Sequence, residues 1–327
     1  MDIMRPLVVV NQLGAGLNPV LAPFGDRVRV LDGDREGDLP WAVGGADILL
    51  TGPSRTWKAA PDRPPAEWGA GPRWVQVASA GVDGFPAWLL QGRAVTCGRG
   101  DAAVPIAEYV LAALLLREKR LDTVRPDGPE AWLREAAVLK GASPLGGLAG
   151  RVVGLAGYGA IGQAVAARAR AFGMRVLAWR RGAWTGTEQD VEPVASLADL
   201  IEQVDHLVLA LPLTRETEGC VNAGLLARAK PGLHLVNVAR GQLVDQDALG
   251  AALDSGRVGF ATLDVTSPEP LPAGHPFYTH PAIRLTPHVS WSGPGVGQNL
   301  HRRIAANLER FLEGRPLQDV VDAARGY

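Results

Sequence analysis

A glycine-rich turn near the middle of the chain links an apolar strand to an alanine-rich helix, and a second apolar strand follows. The turn consists of Gly157, Tyr158, Gly159, Ala160, Ile161 and Gly162. In such a turn the first glycine permits the bend, the second lets the backbone approach phosphates, and the third lets the helix pack on the strand. The alternative is a turn whose glycines serve packing alone. Because strands frame this turn, we expect it to bind the pyrophosphate of a dinucleotide.

The second strand of this unit ends in Arg180 and Arg181. An NAD site usually has Asp or Glu about twenty residues after the glycines, where it accepts hydrogen bonds from the ribose 2′-hydroxyl. Arg180 lies 23 residues after Gly157 (180 − 157). A guanidinium pairs with a 2′-phosphate, which a carboxylate would repel. The sequence therefore predicts that NADP(H) is preferred and NAD(H) is also accepted; two solvated arginines are the alternative interpretation.

Three further side chains that could take part in catalysis follow predicted strands of the same unit. Arg240 follows the strand His234–Val238, and Glu269 lies in the loop after Asp264. His288 follows the last strand in the sequence Thr-Pro-His. Ligands of open parallel sheets bind at the carboxyl ends of the strands, so these side chains are expected at a ligand site. They supply a guanidinium, a carboxylate and an imidazole.

Alternating short apolar strands and helical or loop segments divide the chain into two α/β units. The strands predicted for the first unit are Leu7–Val10, Val28–Leu31, Ile48–Thr51, Trp74–Ala78 and Ala94–Cys97. Those predicted for the second are Val152–Ala156, Val176–Trp179, His206–Leu211, His234–Val238, Gly259–Asp264 and Ile283–Thr286. We therefore expect an α/β protein with two Rossmann-like, doubly wound parallel-sheet domains and the active-site cleft between them.

The segments between and after these strands predict the domain order. Pro105 opens a long apolar helix, Ile106–Lys119, and residues 125–150 are rich in Pro and Gly, as in an arm or linker. A last helix, Gln298–Glu313, is expected to return to the first unit. The flavodoxin-like, substrate-binding domain is thus predicted to comprise residues 1–99 and 289–327. The dinucleotide-binding Rossmann domain is predicted over 100–288, with a dimerisation arm around 120–148.

Composition excludes several classes of protein. The chain has 327 residues, 47% of them hydrophobic and 20% charged, with a net charge of −1, which suits two globular domains but gives no basic excess for nucleic acid or an anionic membrane. Its apolar runs, such as Val110–Leu116, are too short to span a bilayer, and the start has no signal-peptide core. Cys97 and Cys220 are too few for a disulfide framework or metal cluster. We expect a cytoplasmic protein without a metal.

Over nearly its whole length the chain resembles the D-isomer-specific 2-hydroxyacid dehydrogenase family. The similar stretches, in order, are GYGAIG at 157, LPLTRET at 211, HLVNVARGQLVDQDALGAALDSGRV at 234, LDVTSPEPLP at 263 and TPH at 286. Several motifs in the right order are more specific than the glycine motif alone. The resemblance implies that Arg240 binds the substrate's carboxylate and carbonyl, that His288 is the acid/base, and that Glu269 holds His288.

The resemblance implies further site residues and a partner. Backbone amides near Ala80 and Gly81 are expected to help hold the substrate carboxylate. Additional cofactor-binding positions are expected at Leu211, Pro212, Thr217, Val238, Ala239 and Asp264, of which Asp264 is expected to organise its loop rather than react. Family members dimerise through a helix such as Ile106–Lys119 and the following arm. We therefore expect a homodimer, with Glu108 and Tyr109 serving core and interface.

The implied roles agree with elementary chemistry. Hydride transfer to a 2-keto acid leaves negative charge on the carbonyl oxygen, which then needs a proton donor and a fixed cation. Histidine exchanges protons near neutral pH, and a neighbouring carboxylate stabilises its imidazolium form. Arginine remains charged throughout turnover, and the nicotinamide performs the redox step. His206 and His234, at strand starts, are expected to be structural.

We therefore expect an NADPH-preferring reductase that converts a small 2-keto acid to the D-hydroxy acid. Glyoxylate or hydroxypyruvate is the expected substrate, because LAWRR, AEYVLAALL and LDVTSPEPLP look most like the glyoxylate/hydroxypyruvate reductase branch. Thr266 stands where relatives commonly have an aromatic residue, so a different placement of the loop before Glu269 is expected.

Three alternatives remain open. A 3-phosphoglycerate dehydrogenase would need an extra basic cluster, for which Arg55, Arg93 and Arg99 are candidates. The end of the chain at Tyr327, without a regulatory domain, is taken to weaken a feedback-regulated form of that enzyme. A phosphite dehydrogenase on the same scaffold is the second alternative. The third is a non-catalytic, NAD(P)-sensing protein similar to the family's corepressors.

Overall fold

Two compact units make up the chain. The computed structural model describes residues 5–121, 123–141, 145–184, 186 and 191–327. One unit is Met1–Ala102 together with Gly293–Tyr327, and the other is Ala103–Ser292. The unit boundaries thus fall at 102/103 and 292/293, where the sequence analysis placed domain boundaries at 99/100 and 288/289. The first boundary coincides with the start of a helix at Ala103.

The strands are numbered along the chain. They are β1 (Leu7–Asn11), β2 (Val28–Asp32), β3 (Ile48–Thr51), β4 (Trp74–Val77), β5 (Ala94–Thr96), β6 (Val152–Ala156), β7 (Arg175–Trp179), β8 (Glu192–Pro193), β9 (His206–Leu209), β10 (Leu233–Asn237), β11 (Val258–Leu263) and β12 (Ile283–Leu285). The predicted strands agree with these to within one or two residues at each end. β8 was not predicted, because two residues at a sheet edge carry no periodic pattern.

The α-helices are numbered in the same way. They are α1 (Asn18–Leu21), α2 (Arg55–Lys58), α3 (Ala87–Leu90), α4 (Ala103–Lys119), α5 (Pro129–Lys140), α6 (Ala160–Ala171), α7 (Leu197–Ile201), α8 (Ala223–Leu226), α9 (Gln246–Asp254) and α10 (Val296–Leu312). Short 3-10 helices occur at Ala15–Leu17, Ala22–Arg27, Ala66–Trp68, Gly241–Leu243 and Pro276–Tyr278. Within the described residues no helix is both long and apolar enough to cross a bilayer.

The first unit is built on a parallel sheet of order β2-β1-β3-β4-β5. This is the order of flavodoxin-like sheets. β3 is buried along its whole length, as expected for a parallel strand that is covered on both faces. On one face lie Trp57, Trp68 and Trp88, and on the other face Ile304 of α10 packs with the strands.

The second unit is built on a parallel sheet of order β12-β11-β10-β9-β6-β7-β8. Counted from β6 as strand 1, this is the dinucleotide-binding order 3-2-1-4-5-6 with one further strand at the edge. The central strands β6, β9 and β10 are completely buried, because helices cover both faces of the sheet. The prediction of two doubly wound parallel sheets is confirmed, although the second has seven strands instead of six.

The predicted arm contains a helix. α5 begins with Pro129 as its first residue, a position where the missing N–H of proline costs no hydrogen bond. Trp132 and Leu133 on this helix are 65% and 70% exposed. Residues 122 and 142–144 of the arm lie outside the described residues. The segment is thus partly helical rather than an irregular linker.

A pair of histidines is buried at the amino ends of β9 and β10. His206 and His234 are each 1% exposed, and their Nδ1 atoms lie 3.2 Å apart. Nε2 of His234 lies 3.0 Å from Oγ1 of Thr262. Burial lowers the pKa of His206 to about 4 and holds the pKa of His234 well below its usual value. Both rings are therefore neutral at neutral pH, and they lie at the sheet edge opposite the predicted ligand site.

The buried pair predicts a loss of stability in mild acid. Since the folded pKa of His206 lies below the usual 6.5, the unfolded chain binds more protons between pH 6.5 and about 4. The contribution of this ring, about 3 kcal/mol by linkage, is present above pH 6.5 and is lost as the pH falls through this window. His206→Asn should flatten the dependence of the unfolding free energy on pH, measured by urea titration. An unchanged slope would contradict the buried neutral pair.

Candidate active site

The glycine turn has the backbone geometry that a pyrophosphate site requires. Gly157 has a φ of 105°, and a Cβ there would lie 2.5 Å from the carbonyl oxygen of Ala210. A Cβ on Gly162 would overlap the carbonyl oxygen of Gly157. Both positions therefore need glycine, one for its conformation and the other for close packing of α6 on the turn.

Gly159 has a different function in this turn. It is the N-cap of α6 and is exposed, and a Cβ there would meet no atom within 4 Å. Among the described residues no side chain caps this end of α6. The first N–H groups of a helix have no partner within the helix and favour an anion. Open space before an uncapped helix start therefore fits the pyrophosphate of a dinucleotide.

Other predicted cofactor positions follow β9 and β10. Leu211, Val238 and Ala239 are buried, so their side chains serve mainly to shape the sheet edge. Thr217 is also buried; its hydroxyl donates to the carbonyl oxygen of Pro212 at 2.7 Å and accepts the N–H of Thr214 at 2.8 Å. These bonds close the 211–217 loop. That the residues named in this paragraph contact the cofactor directly remains a prediction.

The two arginines after β7 differ in their surroundings. The Arg180 guanidinium lies 4.4 Å from the centre of the Trp184 ring and donates to the carbonyl oxygen of Ala183. Trp184 also contacts Tyr158 of the glycine turn, with ring centroids 5.3 Å apart. Arg181 is exposed and pairs with Glu216. Arg180 thus belongs to a stack that reaches the glycine turn, whereas Arg181 is part of a surface ion pair.

The loop that carries Arg240 is fixed by the last residue of β10. Asn237 is buried; its side-chain amide donates to the carbonyl oxygen of Arg240 at 2.8 Å, and its side-chain oxygen accepts the N–H of Ala239 at 3.1 Å. Arg240 is half-buried and donates from Nη1 to the carbonyl oxygen of Ala239 at 2.7 Å. Because both bonds of Asn237 close the turn, the direction in which Arg240 leaves the sheet is determined locally.

A second set of contacts braces the Arg240 loop against the Glu269 loop. A Cβ on Gly241 would overlap the backbone of Thr266 and Ser267, so glycine is required for this approach. The side-chain amide of Gln246 donates to the carbonyl oxygen of Ser267 at 2.7 Å, and its oxygen accepts the N–H of Ser267 at 2.9 Å. These contacts therefore fix the two loops to each other.

Glu269 is paired with His288. Its Oε2 lies 3.1 Å from Nδ1 of His288, and its Oε1 accepts the N–H of Thr266 at 3.1 Å. Burial alone would raise the pKa of Glu269, but the hydrogen bonds from His288 and Thr266, together with the charges of His288 and Arg240, hold it below its usual range. Glu269 is therefore ionised at neutral pH and can accept a hydrogen bond from the Nδ1–H group of the ring.

Thr266, which stands where relatives commonly have an aromatic residue, closes its own loop. Its hydroxyl donates to the carbonyl oxygen of Pro268 at 2.9 Å, while its N–H binds Glu269. A small hydroxyl residue thus closes the loop on itself, and Glu269 still reaches His288.

The loop that carries His288 is held by Asp264. Asp264 is 1% exposed; its carboxylate accepts the hydroxyl of Thr286 at 2.6 Å and the N–H groups of Val289 and Ser290, each at 2.9 Å. Its backbone carbonyl oxygen accepts the N–H of His288 at 2.8 Å. These bonds organise the loop, which is the role expected of Asp264. Cofactor binding by Asp264 stays a prediction.

His288 itself has an unusual backbone conformation. Its φ is 53°, in the left-handed region that a residue with a Cβ enters only when its surroundings impose it. The side chain of Trp291 donates from Nε1 to the carbonyl oxygen of His288 at 2.9 Å. Since Nδ1 faces Glu269, Nε2 is the ring nitrogen through which protons can be exchanged with a ligand.

Sequence reasoning missed three positioning residues: Asn237, Gln246 and Trp291. Asn237 had a signal, since a polar residue at the end of an otherwise apolar strand needs a hydrogen-bond partner when it is buried. Gln246 and Trp291 had none, because their partners are backbone atoms of distant or irregular loops.

The predicted substrate-binding residues of the first unit follow β4. Ala80 is exposed and Gly81 is half-buried. The hydroxyl of Ser79 donates to the carbonyl oxygen of Gly81 at 2.6 Å and closes this turn. The turn therefore presents backbone at the carboxyl edge of the first sheet, as expected of a ligand loop.

Comparison with known proteins agrees with this geometry. Residues 127–290 match the family model described as the NAD-binding domain of D-isomer-specific 2-hydroxyacid dehydrogenases. The chain belongs to this family. The match covers the glycine turn and the loops of Arg240, Glu269 and His288, and the resemblance inferred from the motifs is confirmed.

Two relatives illustrate the range of the family. Glyoxylate/hydroxypyruvate reductase A of Serratia proteamaculans is 36% identical over 181 residues, which is 54% of this chain and 56% of the relative. D-3-phosphoglycerate dehydrogenase of Mycobacterium bovis is 32% identical over 318 residues, which is 94% of this chain and 57% of the relative. The chain thus aligns with little more than half the length of these proteins.

A solved structure aligns with nearly the whole chain. The D-isomer-specific 2-hydroxyacid dehydrogenase of Xanthobacter autotrophicus Py2, in complex with NADPH and MES, is 26% identical with a TM-score of 0.75. The alignment covers 99% of this chain and 100% of that one. The predicted fold class, two parallel-sheet α/β domains, is therefore shared with a family member.

Proposed function

We propose that this protein reduces a small 2-keto acid to the D-2-hydroxy acid with a reduced nicotinamide cofactor. The observation that carries the proposal is the bond between Glu269 and His288, with the charge of Arg240 acting on the same carboxylate. These side chains follow β11, β12 and β10, on the sheet that also carries the glycine turn. A fixed cation beside a histidine–carboxylate pair is what reduction of a keto acid requires.

Each of these residues has a distinct task. Arg240 binds the substrate's carboxylate and polarises its carbonyl oxygen. His288 gives a proton from Nε2 to that oxygen as negative charge develops, and Glu269 stabilises the imidazolium that precedes this transfer. The amides of the glycine turn hold the pyrophosphate. The bound nicotinamide supplies the hydride.

Glyoxylate or hydroxypyruvate is the proposed substrate. The Serratia relative carries both names, and two of the three candidate arginines for a phosphorylated substrate, Arg93 and Arg99, already have partners. Arg93 donates to the carbonyl oxygens of Gln91 and Pro72. Arg99 lies 4.0 Å from Asp319. Since these arginines are engaged, a small keto acid is favoured over a phosphorylated one.

NADPH is proposed as the preferred cofactor because Arg180 stands at the end of β7. Its stack on Trp184 fixes the guanidinium, so less conformational entropy is lost when it pairs with a 2′-phosphate. The 26% identical Xanthobacter structure contains NADPH.

Three further expectations belong to this proposal. The Ala80–Gly81 turn binds the substrate carboxylate from the first unit. The chain forms a homodimer, in which the partner subunit covers the exposed Trp132 and Leu133 of α5. The protein is cytoplasmic.

A substrate panel tests the proposed activity. Glyoxylate, hydroxypyruvate, pyruvate, phenylpyruvate and phosphohydroxypyruvate are offered with each reduced nicotinamide, and oxidation is followed by the loss of the absorbance of the reduced ring. One of the first two should give the highest kcat/KM. Arg240→Ala should lower it by about 100-fold or more, since a preorganised charge is lost.

The matched control is Arg228→Ala, which removes an exposed arginine paired with Glu202 and should leave kcat/KM within about twofold. Absence of turnover with every keto acid would favour the NAD(P)-sensing alternative, and a dominant rate with phosphohydroxypyruvate would favour the phosphoglycerate enzyme.

Cofactor choice is tested at β7. Arg180→Asp replaces a phosphate-binding charge by a repelling one, so the ratio of kcat/KM for NADPH to that for NADH should fall by roughly tenfold or more. Arg175→Asp changes an exposed arginine at the other end of the same strand and should not alter the ratio. Equal ratios in the wild type and Arg180→Asp would remove Arg180 from cofactor selection.

A further inference from the structure

A tyrosine of α4 contacts the His288 loop. The hydroxyl of Tyr109 lies 2.6 Å from Oγ1 of Thr286, two residues before His288. Tyr109 is half-buried. The sequence analysis assigned this side chain to core and interface, but its hydroxyl is directed at the loop that carries the proposed proton donor.

The direction of this hydrogen bond follows from its neighbours. Thr286 has one hydroxyl proton, which it donates to Oδ1 of Asp264 at 2.6 Å. Because this proton is committed to Asp264, the Thr286 oxygen accepts a hydrogen bond from the hydroxyl of Tyr109. Burial, together with the charge of Asp264, raises the pKa of Tyr109 despite its bond to Thr286, so the phenol keeps its proton at neutral pH. The order is Tyr109 to Thr286 to Asp264.

The chain of bonds ends on the backbone that shapes His288. The Asp264 carboxylate also accepts the N–H groups of Val289 and Ser290, on the far side of His288. Thr286 on one side and Val289 on the other are thus tied to one carboxylate oxygen. Connected hydrogen bonds polarise and orient one another, and they hold His288 at its strained φ of 53°.

We propose that Tyr109 is a positioning residue for His288, which acts through Thr286 and Asp264 to orient the imidazole toward Glu269. The inference deepens the proposed function and rests on it for its kinetic consequence. Its structural consequence, the orientation of the ring, can be measured without substrate or cofactor.

The hydroxyl can be removed without disturbing the packing of α4. The buried side chains Val110, Leu111 and Leu114 anchor this helix, and Tyr109→Phe retains the aromatic ring. The change therefore deletes one donor from the chain of bonds and leaves the apolar contacts of the helix in place.

The first measurement is the ¹⁵N spectrum of the His288 imidazole in protein labelled at histidine, assigned with His288→Asn. In the wild type at alkaline pH, Nδ1 should have the shift of a protonated nitrogen and Nε2 that of an unprotonated one, because Nδ1 faces Glu269. Tyr109→Phe should move both shifts toward the values of mixed tautomers. Glu108→Gln, an exposed neighbour on α4, is the control and should leave them unchanged.

The second measurement is a kinetic double-variant cycle. Tyr109→Phe should lower kcat by about three- to tenfold, the loss expected for one hydrogen bond, with KM for the keto acid within about twofold. In a Thr286→Val background, Tyr109→Phe should have no further effect, because the connection is already broken.

Unchanged ¹⁵N shifts in Tyr109→Phe would overturn the proposal, and so would additive effects of the two variants on kcat. An inactive wild type with altered shifts in Tyr109→Phe would contradict the proposed reductase while supporting the positioning of His288. An active wild type together with unchanged shifts in Tyr109→Phe would support the proposed reductase and contradict the positioning role of Tyr109. The two failures are therefore distinguishable.

Discussion

The buried carboxylate of Asp264 is the constraint on which the site depends. At 1% exposure it would be costly without partners, and its partners are Thr286, Val289 and Ser290 of the next loop. The hydrogen bonds that satisfy this buried carboxylate hold the backbone on both sides of His288, and His288 thereby takes a left-handed conformation. Parallel pairing of β11 and β12 brings the two loops to the same edge, so the constraint arises directly from the sheet.

The electrostatics of the site follow from this placement. Once His288 is held beside Glu269, their hydrogen bond and the nearby charge of Arg240 outweigh burial and keep the pKa of Glu269 low. The carboxylate then fixes the ring through Nδ1 and leaves Nε2 for proton exchange. Gly241 and Gln246 brace the Arg240 loop against the same segment, so the cation and the acid are positioned by one connected set of backbone contacts.

Much of this arrangement could be predicted from the sequence, since apolar periodicity determines strands and parallel strands deliver their carboxyl ends to one edge. Gly157 and Gly162 were also predictable, because few other roles explain glycines in that frame. The partners of Tyr109, Gln246 and Trp291 were not, because they are atoms of loops whose paths depend on tertiary contacts. Tyr109 is an example: its position on an apolar helix indicated a core residue, and only the tertiary structure reveals its bond to Thr286.

The most direct test of the account is the pH dependence of kcat/KM for keto-acid reduction in the wild type and in His288→Asn. If the Glu269–His288 pair delivers the proton, the wild-type kcat/KM should decline on the alkaline side of its pH profile, because the reduction consumes a proton from this pair. His288→Asn should be slower and should show no such dependence near neutrality. A variant that retains the wild-type pH profile would contradict the account, because another group would then supply the proton.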